Sequence, residues 1–303
     1  MLNAVLLLLV VLMIMREFVR RRNRSIMRCG LKQASPLERL GSFRETSPCV
    51  GNFDSSRRPH AVLLLHGYSA SPQEFSPLCE VLKSEQIPFY APRLTGFGLD
   101  DFALLEKVRA EDWLRECVES YDLLASLAER VSVVGISTGG LLAALLSERR
   151  SIHHLLLIAP NFYPAASDRR YKKLFMAPLL GKFLAFWLPV FRKPRSVGRV
   201  HPSDTVDPEA GSKLLSYHAL PTRSLQEMWR LQRWSRIDQI RGESLTLLFG
   251  AQDLSVDNQA SLYAFQSAKL DFTQHSFSRS GHNLLIDYDN PAVLSTIIKI
   301  LQR

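Results

Sequence analysis

The chain has 303 residues, 46% of them hydrophobic, enough to cover both faces of one large sheet. Its formal charge of +9 raises the question of nucleic acid, but eleven Lys/Arg against four Asp/Glu in residues 1–60 leave a surplus of only +2 for the rest. No nucleic-acid reading motif accompanies the charge, so no nucleic-acid partner is expected. Four cysteines (Cys29, Cys49, Cys79, Cys117) show neither CxxC spacing nor a paired His motif, which argues against a metal site or a disulfide framework; no cofactor is expected.

Residues 1–15 are apolar apart from Asn3, and Arg16, Arg20, Arg21, Arg22 and Arg24 follow. A secretory signal would carry its charge before the apolar run, not after it. A helix of residues 1–15 spans about 22 Å, against a hydrocarbon core of roughly 30 Å. Extension through Val19, with Arg16 snorkelling to the interface, brings it close to spanning. Residues 1–24 are therefore predicted to be a membrane anchor with a basic flank. The positive-inside rule then leaves the catalytic bulk in the cytoplasm. An interfacial helix or an uncleaved targeting segment are the alternatives. Residues 25–58, polar and holding Pro36 and Pro48, read as a linker to a domain covering 59–303.

From Ala61 short apolar runs alternate with longer amphipathic stretches, the pattern of βαβ units. Strands are predicted at 61–65, 88–91, 131–135, 153–158, 244–249 and 271–277, and helices at 71–84, 110–130, 140–148 and 256–269. The alternation breaks over about 160–243, where two helices and no strand are evident. Phe175–Phe191 and Leu225–Trp234 are too apolar for a linker, so a helical lid over the sheet's C-terminal edge is expected. The fold class is thus α/β: a mainly parallel central sheet, helices on both faces and a helical lid insertion.

Gly135-Ile136-Ser137-Thr138-Gly139 matches the G-x-S-x-G nucleophile elbow, lying between a strand pattern and a helix opening. The motif has a physical basis: a sharp turn exposes the Ser137 hydroxyl, and the glycines admit close backbone approach. Leu65-His66-Gly67-Tyr68 ends a buried strand, so the backbone N–H groups of Tyr68 and Thr138 are the two candidate oxyanion donors. His66, at a strand end, suits structural hydrogen bonding better than catalysis. A hydroxyl nucleophile also needs a near-neutral base and a carboxylate to orient it. In the chain order Ser, Asp/Glu, His, His153 and His154 come too early, His201 and His218 fall in the insertion, and His275 lies within a strand. His282, on the loop after the last strand, is the candidate base. Asp253, on the loop after strand 244–249, is the candidate acid. Its rival Asp257 sits where a helix-capping charge is expected.

Together these runs resemble the carboxylesterase and monoacylglycerol-lipase branch of the α/β-hydrolases. The resemblance rests on Leu65–Tyr68, Ser71-Pro72-Gln73-Glu74-Phe75, Tyr90–Gly98, Asp112-Trp113, the Ser137 elbow, Tyr217–Pro221, Gly250–Asp253 and Ser280-Gly281-His282, and it covers roughly 60–300. It implies the α/β-hydrolase fold and serine-based cleavage of carboxylic esters, with acyl lipids such as monoacylglycerols or lysophospholipids as substrates. Thr138 and Phe97 depart from the usual Met and His, which puts acyl or alcohol preference in question but removes no backbone donor. A thioesterase, or a non-catalytic membrane-bound binding protein on the same fold, is the alternative. The apolar block 175–191, ringed by Lys172, Lys173, Lys182, Arg192, Lys193 and Arg195, reads either as a packed lid helix or as a surface that meets lipid.

Overall fold

The structure, a computed structural model, describes residues 2–33, 47–53, 57–99, 104–192, 204–217 and 219–303. His201, His218, Lys193 and Arg195 lie outside the described residues, as does the stretch 34–46 of the expected linker.

Among the described residues, nine strands form one seven-stranded sheet and one hairpin. They are β1 (Cys49–Gly51), β2 (Arg58–Leu65), β3 (Phe89–Ala91), β4 (Ala128–Ile136), β5 (His154–Ile158), β6 (Val190–Arg192), β7 (Ala219–Pro221), β8 (Ser244–Gly250) and β9 (Thr273–Phe277). The sheet runs β1-β3-β2-β4-β5-β8-β9, parallel throughout except for β1. The helices are α1 (Leu2–Gln33), α2 (Ser76–Ser84), α3 (Ala110–Leu127), α4 (Thr138–Ser147), α5 (Ala166–Phe175), α6 (Pro178–Trp187), α7 (Pro208–Lys213), α8 (Thr222–Trp234), α9 (Asn258–Ser267) and α10 (Asn290–Leu301).

The period of two along each strand sorts side chains onto opposite faces. Ala61, Leu63 and Leu65 of β2, with Leu155 and Leu157 of β5, join the cluster under α3, α4 and α8. Val62, Leu64, Leu156 and Ile158 join the cluster under α2 and α10. Because both faces are covered, the central strands are apolar runs rather than alternating ones. Helices thus flank both faces, as expected.

Three expectations need correction. The supposed linker contains β1, whose Cys49 and Gly51 pair with Ala91 and Phe89 of β3, and its first residues belong to α1. The insertion between β5 and β8 is not purely helical. Pro178 starts α6 as a new helix after α5, and Val190–Arg192 leave it to pair with Ala219–Pro221 as a hairpin. The membrane-crossing anchor fails as well: among the described residues no helix is long and apolar enough to cross a membrane. Arg16, Glu17 and Arg20 cut the apolar run short, and the two arginines reach beyond the helix. The Arg16 guanidinium stacks 4.4 Å over the Phe186 ring and donates to its carbonyl, and Arg20 pairs with Glu106 at 2.8 Å. Without a crossing helix, the charge argument for a cytoplasmic domain has no footing.

Candidate active site

Ser137 stands at the hinge between β4 and α4 with φ 54° and ψ −112°, a region that costs a non-glycine residue about 1–3 kcal/mol. Surrounding packing enforces the strain. A Cβ on Gly139 would lie 1.9 Å from the Leu65 carbonyl oxygen, and one on Gly135 would lie 2.4 Å from that of Gly139. Only bare backbone lets α4 start so tightly against β2 and β4. The Ser137 N–H donates to Ile158 and its carbonyl accepts from Asn161, both main chain, at 2.9 and 3.1 Å. Thr138, the first residue of α4, has an amide with no carbonyl one turn back, the usual state of a helix start.

The loop after β2 lies against the elbow, since a Cβ on Gly67 would sit 3.4 Å from that of Ser137. Its shape is held from several sides. Gly67 donates its amide to Glu74 Oε2 at 2.9 Å, and the His66 ring bonds the Gly67 carbonyl at 2.9 Å and accepts the Leu94 amide at 3.1 Å. His66 is therefore a neutral brace, and complete burial lowers its pKa to about 4. Phe97 packs against His66, Tyr68 and Trp113, with ring centroids 5.4–5.6 Å apart. The residue that departs from the family pattern thus supports the Tyr68 loop by packing. The Tyr68 hydroxyl reaches α8 through Ser224 at 2.7 Å, tying this loop to the insertion.

Asp253 and His282, distant in sequence, meet: Asp253 Oδ2 lies 2.9 Å from His282 Nδ1, and the carboxylate is fully buried. Asp253 Oδ1 accepts the amides of Ser255 and Val256 at 2.8 and 3.0 Å, which fixes the carboxylate's aim. Burial alone would lower the His282 pKa. The Asp253 carboxylate outweighs it by charge and hydrogen bond, Asp204 and Glu74 add to it, and the pKa is raised. Asp257 instead caps α9 by accepting the Ala260 amide at 2.9 Å, and it pairs with Arg169. No hydrogen bond joins the Ser137 hydroxyl to His282; contacts of this kind often close only when substrate is seated.

Two buried acids in this neighbourhood gave no sequence signal. Asp204 accepts the Leu254 amide at 2.7 Å and the Ser255 hydroxyl at 2.8 Å through Oδ2, while its carbonyl accepts the His282 amide at 2.9 Å. One residue of the insertion thereby grips both the Asp253 loop and the His282 loop. Asp287 accepts the amides of Val206, Asp207 and Gly281 at 2.8–2.9 Å, fastening the same segment from the other side. Their partners are mostly main-chain groups far along the chain, so no local motif marks them.

A strained serine between strand and helix, with a carboxylate–imidazole pair on loops of the same sheet, is the arrangement of a hydrolase. Residues 62–296 match the Alpha/beta hydrolase family, and the chain belongs to it. It is 26% identical over 256 residues to a thermostable monoacylglycerol lipase of Bacillus sp. (strain H-257), covering 83% of this chain and 94% of that one. Among solved structures it is similar to one from work on the metagenome-derived lipolytic enzymes LipS and LipT, with TM-score 0.68, 18% identity, and 85% and 98% of the two chains covered. A soluble variant of the monoglyceride lipase of Saccharomyces cerevisiae, with a substrate analogue, gives TM-score 0.66 at 13% identity over 84% and 90%.

Proposed function

We propose that this protein is a serine hydrolase that cleaves carboxylic esters of acyl lipids, monoacylglycerols or lysophospholipids among them, through an acyl-enzyme on Ser137. The observation that carries the reading is the buried contact of Asp253 with His282. An Asp253-bound Nδ1–H leaves Nε2 of His282 as the basic nitrogen, the tautomer a general base needs. The Ser137 oxygen attacks the ester carbonyl as Nε2 takes its proton. The carbonyl oxygen becomes an oxyanion, held by the Tyr68 and Thr138 amides. Collapse of this intermediate expels the alcohol, which leaves with the proton from His282. Water then gives up a proton to His282 and attacks the acyl carbon, releasing the carboxylic acid and regenerating Ser137. The kinship with a monoacylglycerol lipase supports acyl glycerols over other esters.

The test is labelling with a fluorophosphonate probe, followed by hydrolysis of a short-chain aryl ester and a lipid panel that includes thioesters. Ser137→Ala should lose labelling and at least about a thousandfold in turnover while keeping its melting temperature. Undiminished turnover in that variant overturns the assignment. Exposed Leu179, Phe183 and Phe186 on α6, near the exposed apolar side chains of α1, support a lipid–water interface as the place where substrate is met. Co-flotation with anionic vesicles that weakens on deletion of residues 1–24 is expected; its absence in the full chain removes this part of the reading.

A further inference from the structure

Away from Ser137, a cleft of about 840 Å³ opens between α5, the C-terminal end of α8 and α9. None of Ser137, Asp253, His282 and Tyr68 lines it. Its apolar lining comes from Phe162, Met176, Ile237 and Ala264. Its charges are unbalanced. Arg169 is spoken for by Asp257, and Asp238 by Arg236 at 2.8 Å. Lys172, Lys173 and Arg233 also line the cleft, and among the described residues no carboxylate pairs with any of them. Lys172 is half-buried, and its pKa is lowered by desolvation and then by the nearby Arg233 charge. Half-buried Lys172 and exposed Arg233 are like charges near one another beside apolar surface, a repulsion that a bound anion would offset.

Gln232 supplies an independent observation. Its amide nitrogen donates to both the carbonyl and the side-chain oxygen of Asn161, each at 2.8 Å, which fixes the amide's orientation. Its own Oε1 is then buried with no partner, on a residue that lines the cleft. A buried acceptor left unpaired costs about 1–3 kcal/mol, so the cleft wall beside Lys172 and Arg233 is a costly polar surface as it stands.

We propose that this cleft is a second lipid site, taking a single-chain amphiphile whose anionic head lies between Lys172 and Arg233 and whose chain covers the apolar lining. The cleft wall connects to the candidate nucleophile: Asn161, which receives the Gln232 amide, donates its own N–H to the Ser137 carbonyl at 3.1 Å. The site does not depend on the esterase reading, because none of its residues takes part in that chemistry.

Calorimetric titration of the full chain tests this with three non-hydrolysable ligands below their micellar concentrations. They are an alkyl-ether lysophosphatidate, dodecanoate and a neutral alkyl glycerol ether. The anions are expected to bind at least about tenfold more tightly than the neutral ether. The lysophosphatidate exceeding dodecanoate identifies a hydroxyl-bearing phospholipid as the source, and equality identifies a free fatty acid. The double substitution Lys172→Gln with Arg233→Gln should abolish the anionic preference, leaving aryl-ester turnover and melting temperature unchanged. Lys182→Gln, on α6 and outside the cleft, should do nothing. Equal binding of neutral and anionic ligands, or a preference that survives the double substitution, overturns the proposal. Loss of aryl-ester hydrolysis in the parent chain would strike only the esterase reading.

Discussion

Replacing Asp253 by Asn tests the acid–base pair while keeping the side chain's shape. Asp253 Oδ1 holds the Ser255 and Val256 amides, and an Asn oxygen can keep both bonds. The Asn NH₂ then takes the place of Oδ2, 2.9 Å from His282 Nδ1. A donor at that point forces Nδ1 to accept, so Nε2 carries the proton and cannot receive one from Ser137. The wrong tautomer costs about four orders of magnitude in turnover in the best-studied serine hydrolases. The pKa of His282 should fall as well, since the charge and hydrogen bond that outweigh burial are gone. In the proposed mechanism the neutral imidazole is the active form, so the acid limb of kcat/KM should sit above the ordinary histidine value in the parent. In Asp253→Asn the residual activity should show that limb shifted to lower pH. The control is Asp257→Asn. Asn caps a helix about as well as Asp, and the lost pair with exposed Arg169 is worth at most about 1 kcal/mol. Turnover of the control should stay within about twofold of the parent. Stopped-time hydrolysis of an aryl ester from pH 4 to 9 measures all of this. An Asp253→Asn enzyme with more than about a tenth of parental turnover, or a larger loss from Asp257→Asn, refutes the pairing as the source of the base.

Other consequences can be checked directly. His66 is buried neutral with a pKa of about 4 against an unfolded value near 6.5. Its contribution to stability is complete above pH 6.5 and lost as pH falls toward 4, because only the unfolded chain takes up the proton there; the amount is on the order of 3 kcal/mol. His60 and His154, also lowered to about 4 by burial, add to the same slope, so denaturant titrations should show it and His66→Gln should reduce it by the share of His66. Gly139→Ala drives a methyl carbon to 1.9 Å from the Leu65 carbonyl oxygen, so it should cost about 3 kcal/mol or more by thermal melting, with turnover lost alongside. Asp204→Ala strands the Leu254 amide and the Ser255 hydroxyl, a destabilisation of roughly 2–4 kcal/mol. It should lower kcat more than it raises KM; unchanged kcat would mean that the two loops hold their places without it.

What the sequence displays, and what it hides, follows the range of each interaction. The parallel strands β2, β4, β5 and β8 are legible because burial on both faces writes a continuous apolar run. The elbow is legible because its glycines are demanded within five consecutive residues, and Asp257 was separable from Asp253 because capping is local. β1 and the β6–β7 hairpin were missed: β3 is just as short but lies in the βαβ alternation that begins at Ala61, whereas these strands fall outside that alternation and take partners chosen in space. Pro178 breaks the apolar block 175–191, yet composition alone makes that block look like one helix. The apolar N-terminus looked like an isolated anchor because nothing in residues 1–24 announces that Arg20 pairs with Glu106. Asp204 is the extreme case, since Pro-Ser-Asp-Thr is unremarkable until the fold brings Leu254 and His282 to it.

The insertion leaves the sheet after β5 and returns at β8, and these strands are hydrogen-bonded neighbours. The two strands run parallel, so the insertion starts at the C-terminal end of β5 and must bring the chain back to the N-terminal end of β8. The part before α8 can be lengthened, shortened or exchanged without re-threading the sheet as long as the chain from α8 onward still makes that crossing. Ser137 precedes it, and Asp253 and His282 follow it, so such an exchange leaves the proposed reacting groups in place. Asp204 limits that freedom. A transplanted cap that lacks an acceptor at this position would arrive with new selectivity but a loosened acid loop, so chimaeras built on this framework should keep 204–207 from the recipient.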